Sequence, residues 1–122
     1  MFLSKQEADV PVIIAGDKTQ LQELIHPIND SLPIGYSLAK AEIAPGESSQ
    51  LHKLDSSELY YILAGNGKAI IDKNEIYIVP GSMIFIPGGT EQFIVNTGTE
   101  VLSFLCIVEP YWQSTAENIL TN

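Results

Sequence analysis

Gly and Pro recur along this chain at short, even intervals that leave little room for a helix of ordinary length. The segments between them are short and rich in β-branched and aromatic residues. They cover residues 12–15, 21–26, 36–43, 58–63, 68–71, 76–79, 83–86, 92–95 and 101–108. Strands this short, with a turn signal every 8–12 residues or so, predict an all-β sandwich or barrel. Asp72-Lys73-Asn74-Glu75 reads as a tight hairpin, because Asn tolerates a left-handed backbone. The sole helix signal is the tail, where Ser114 or Thr115 caps a turn running to Leu120.

The chain has 122 residues, enough for one domain with one hydrophobic core. The expected layout is a single domain over 1–122, with a barrel core at about 35–110, N-terminal strands at 10–26 and a short tail at 111–122. A net charge of −9 with six Lys plus Arg leaves no basic cluster, which argues against a nucleic-acid or anionic-membrane partner. No apolar run reaches the roughly 20 residues that cross a bilayer. The first ten residues lack the layout of a signal peptide, so the cytoplasm is the expected compartment. One cysteine, Cys106, leaves no intrachain disulfide and no multi-cysteine zinc site.

Two stretches carry the chemistry. Residues 46–65 read GESSQLHKLDSSELYYILAG and residues 81–96 read GSMIFIPGGTEQFIVN. On their spacing they resemble the two motifs of the cupin superfamily. Gly46, His52, Glu58 and Gly65 fit the first motif, and Gly81, Pro87, Gly89 and Asn96 fit the second. The match covers about a third of the chain, and eight positions agree jointly. The resemblance implies a double-stranded β-helix, a jelly-roll barrel. Two departures stand out. Leu54 occupies the place of the first motif's second His, and Gln92 that of the second motif's His.

Alternate strand residues point to one side, so His52 shares a face with Leu54, and Glu58 shares one with Tyr60 and Ile62. In the family these faces line the barrel. The resemblance therefore implies a divalent metal (Fe, Mn, Ni or Zn) on His52, Glu58 and Gln92. An imidazole, a carboxylate and an amide oxygen form a mixed N/O set that leaves open positions for water or substrate. The alternative is a metal-free cluster in which the three residues satisfy one another by hydrogen bonds. Tyr60, Phe104 and Cys106 are the expected pocket walls; Tyr60 reads equally as a core aromatic and Cys106 as a small buried hydrophobe. His26 reads as a loop-end residue near the mouth. On a regular strand it faces away from Glu23.

Two functions follow. One is a metal-dependent enzyme acting on a small oxygen-rich molecule, a sugar or organic acid. The other is a metal-free binding module for the same kind of ligand. The resemblance also implies a homodimer, with Leu59 and Tyr61 facing outward.

Overall fold

The computed structural model describes residues 2–120. The strands are β1 (Ile13–Ile14), β2 (Gln20–Ile25), β3 (Ser37–Ile43), β4 (His52–Leu54), β5 (Ser57–Ala64), β6 (Gly67–Ile71), β7 (Asn74–Ile78), β8 (Met83–Ile86), β9 (Gln92–Val95), β10 (Leu102–Glu109) and β11 (Glu117–Ile119). They form two sheets, β1-β2-β3-β10-β5-β8 and β11-β4-β9-β6-β7, and every pairing is antiparallel. This is the all-β architecture that the punctuation predicts, and the jelly roll that the resemblance implies. Among the described residues no helix is long and apolar enough to cross a membrane.

Strand alternation builds the core. On β5, Glu58, Tyr60 and Ile62 are buried, while Leu59, Tyr61 and Leu63 are exposed. The same period sends Leu102, Phe104, Cys106 and Val108 of β10 inward, and Ala41 and Ile43 of β3. Ile62, Ile78, Ile86, Ile94 and Leu102 have almost no surface left, which makes one end of the interior dry and aliphatic.

The family spacing has a backbone cause. Gly46, Gly65, Gly81 and Gly89 all adopt positive φ, between 79° and 90°, where a side chain is strained. Asn96 ties a loop together. Its Nδ2 donates to the carbonyls of Ile43 and Glu100, and its Oδ1 accepts from the Gly98 N–H.

Three expectations change. The tail is not helical: one 3-10 turn, Ser114–Ala116, leads into β11. Ladder bonds to the open edge of β4 outweigh a weak capping signal there. In the β6–β7 hairpin the left-handed residues are Asp72 and Lys73, with φ of 48° and 69°. Asn74 instead opens β7 opposite Ile71, and its side-chain amide donates back to the Ile71 and Asp72 carbonyls. Finally, Glu23 and His26 do approach each other, with Oε1 3.6 Å from Nδ1. A register shift between Glu23 and Ile25 breaks the parity that would have separated them.

Candidate metal and ligand site

The other end of the interior is polar and holds a cavity with about 60 Å³ open to water. That is room for a few water molecules or one small ligand. Its walls include Asp17, His52, Glu58, Tyr60, Phe104, Cys106 and Glu117. Asp17, Glu23, Glu58 and Glu117 contribute carboxylates to it, and no Lys or Arg does.

His52 and Gln92 face each other across the β4–β9 pair. Glu58, Tyr60 and Gln92 meet in one buried group. The Gln92 amide donates to Glu58 Oε1 at 3.0 Å. The Tyr60 phenol lies 2.6 Å from Gln92 Oε1 and 3.1 Å from Glu58 Oε1. Its single proton serves only one acceptor at a time, and the shorter contact assigns it to Gln92. A proton on Glu58 then completes the ring by donating to the Tyr60 oxygen. Burial pushes the Glu58 carboxyl up to about 7, against the opposing pull of His52. A protonated Glu58 is thus accessible near neutrality. Tyr60 also packs edge-on against Phe104, with ring centroids 5.2 Å apart. Burial raises the Cys106 thiol well above its ordinary range, so it lines the wall as an unreactive group.

His52 looks elsewhere. Its Nδ1 lies 2.8 Å from the Gln50 carbonyl, a contact that requires Nδ1–H to donate. In the neutral ring Nε2 then carries the lone pair. Nε2 points at Asp17 Oδ2, 3.8 Å away, and has no hydrogen bond among the described residues. Asp17 is itself held: its Oδ1 accepts from the Thr19 hydroxyl at 2.7 Å and the Thr19 N–H at 3.2 Å. Glu117 completes the group, and one donor atom from each of Asp17, His52 and Glu117 lies within 4.8 Å of the other two. Burial, followed by the Asp17 carboxylate, raises the Glu117 carboxyl, with His52 opposing.

Neither Asp17 nor Glu117 stands out in the sequence. Asp17 has the pattern of a side chain that closes its own turn onto Thr19, and Glu117 falls where the sequence suggests helix. What brings them to His52 is pairing between distant segments, which no local pattern reports.

These features define a small β-barrel in which a buried imidazole meets two half-buried carboxylates at one end of the interior. The chain belongs to the cupin family: the family's cupin-domain model matches residues 39–108. It is 34% identical to an uncharacterized protein of Methanocaldococcus jannaschii, over 98% of this chain and 97% of that one. It is also 35% identical to an oxalate-binding protein of Thermotoga maritima, over 57% of this chain and 59% of the relative. Among solved structures, a polyketide cyclase from Streptomyces resistomycificus superposes with a TM-score of 0.82 at 19% identity, covering 100% of this chain and 87% of that one. At that identity the likeness concerns the fold alone.

Proposed function

We propose that this protein is a metal-binding cupin that holds one divalent cation at His52 and a small oxygen-rich molecule beside it. The observation that carries this reading is the convergence of His52 Nε2, which has no hydrogen bond among the described residues, with the Asp17 and Glu117 carboxylates, one donor atom of each lying within 4.8 Å of the other two. Two carboxylates and an imidazole this close need positive charge among them, and a divalent cation would bind all three at once. The residues fit such an ion: one imidazole with its tautomer fixed from behind, and carboxylates to offset the charge. The family resemblance offers Glu58 and Gln92 as its partners.

The cation also decides which ligands can enter. A cavity lined by four acidic residues and no Lys or Arg offers an organic acid little counter-charge. With a divalent ion in place, a small acid or hydroxy acid gains a counter-charge. That is consistent with a relative named for binding oxalate. Tyr60, Phe104 and Cys106 would form the ligand's walls, with the Tyr60 hydroxyl as the polar contact. A bound ion would supply Lewis-acid polarisation of a ligand oxygen.

Elemental analysis of untagged protein purified without chelator tests the reading. About one equivalent of Fe, Mn, Ni or Zn per chain is expected, lost in His52→Ala while the fold persists. Negligible metal, even after soaking with these ions, would favour a metal-free binding module for the same ligands.

A homodimer suits the outer face of the six-stranded sheet. Ile107, Leu59 and Phe85 adjoin across β10, β5 and β8, as do Leu105, Tyr61 and Met83. Leu59, Tyr61, Met83, Phe85 and Ile107 are exposed, an apolar row that a second copy would cover. A monomeric mass in solution at micromolar concentration would refute it.

A further inference from the structure

We propose that the cation at His52 is held by Asp17 and Glu117, residues outside both family motifs, and that it clasps the open edges of the two sheets together. This rests on the metal-binding reading above and specifies its ligands.

The first step is what the motif residues are already doing. Glu58 and Gln92 are hydrogen-bonded to each other and to Tyr60. Glu58 Oε1 and the Gln92 amide therefore have partners without an ion. His52 Nε2 has no hydrogen bond among the described residues, and it faces Asp17.

The second step is the replacement of a missing ligand. Leu54 stands where the family motif has its second imidazole. β11 pairs with β4 so that Glu117 lies directly opposite Leu54. Opposed residues of an antiparallel pair point to the same face, and His52 shares that face with Leu54. The strand that covers Leu54 therefore brings a carboxylate to the side that lost a histidine.

The third step is preorganisation. The Gln50 peptide joins two of the ligands: its N–H donates to the Asp17 carbonyl, and its carbonyl accepts from His52 Nδ1. Thr19 occupies Asp17 Oδ1 and leaves Oδ2 toward His52. Gly16 leaves the space that Glu117 uses, since a Cβ there would sit 2.6 Å from Glu117 Oε1. His52 is also nine-tenths buried, with 3% of its side chain exposed. Outer contacts of this kind commonly hold metal ligands in place.

The fourth step is location. Asp17 lies in the turn between β1 and β2 at one edge of the six-stranded sheet, and Glu117 on β11, the edge of the five-stranded sheet. An ion on both spans the seam between the sheets. It also anchors a strand that is otherwise held along one side over three residues.

The test is a calorimetric titration of Mn2+ and of Zn2+ into chelator-treated full-length protein and variants. Asp17→Asn and Glu117→Gln are expected to weaken binding by on the order of tenfold to a hundredfold. Gly16→Ala, which moves the Glu117 carboxylate without changing charge, should also weaken it. Glu58→Gln and Gln92→Ala should leave affinity within a few-fold. Hydrogen exchange gives a second readout. The ion should slow exchange of the Leu120 and Asp55 N–H groups, which bond across β4 and β11, in the wild type but not in Glu117→Gln. If binding survives Asp17→Asn and Glu117→Gln but is lost in Glu58→Gln, the ion sits in the motif site. The clasp is then wrong and the metal-binding reading stands. If the wild type binds neither ion, both fail.

Discussion

The two ends of the barrel interior are built by the same strands under different rules. Strand β5 passes from Glu58 through Tyr60 to Ile62, and β9 from Gln92 to Ile94, so each runs from polar to aliphatic along one inner face. At the aliphatic end every contact is interchangeable in kind: Ile62, Ile78, Ile94 and Leu102 need only apolar neighbours. At the polar end each group needs a particular partner. Gln92 needs the Tyr60 proton, Asp17 Oδ1 needs Thr19, and His52 Nε2 needs a proton or a cation between it and Asp17. Burial stabilises the first end without regard to direction. At the second end, burial is costly until each polar group is matched.

The contrast is sharpest for Ile62→Ala, the largest effect expected. Ile62 is fully buried in the aliphatic cluster. Truncation loses transfer energy and leaves a cavity, for about 4 kcal/mol of stability. Urea unfolding would measure it. At temperatures where the variant is folded, ion affinity should stay at the wild-type level. A matching fall in ion affinity would show that the two ends are mechanically coupled and would break the comparison.

The same contrast explains what was legible beforehand. Period-two alternation is local, so it was legible that Glu58, Tyr60 and Ile62 share one face and that Phe104 and Cys106 share another, while the resemblance supplied which face is inward. The motif glycines were legible too, because their spacing reports backbone demands for positive φ. His52, Glu58, Gln92 and Tyr60 were named as a group by parity and resemblance, and all four lie buried at the polar end. Asp17 and Glu117 were not named. Their place beside His52 depends on β11 docking on β4 and on the turn after β1 reaching across the seam. Strand β4 has only three residues, too few for a pattern, and β11 was mistaken for helix. Glu23 and His26 were misjudged because a register shift reset the parity that sequence spacing assumes.

A smaller effect tests the polar end through pH. Glu58 is held at about 7 in the folded protein by burial, against an ordinary value of 4.5. A carboxyl raised on folding contributes stability that is fully present below about pH 4.5 and is lost as pH rises through 7. Above 7 the folded state must either bury a carboxylate or take up a proton that water no longer supplies readily. The difference between the two values corresponds to about 3 kcal/mol. Glu58→Gln keeps the shape and removes the titrating group, and with its carbonyl oxygen in the place of Glu58 Oε1 it still accepts from the Gln92 amide. In chelator-treated protein the variant should therefore be more stable than the wild type at pH 8, and the gap should close toward pH 5. Unfolding free energies at a series of pH values measure this. Parallel profiles would mean that Glu58 is ionised in both states, and that the polar end tolerates a buried charge without an ion to match it.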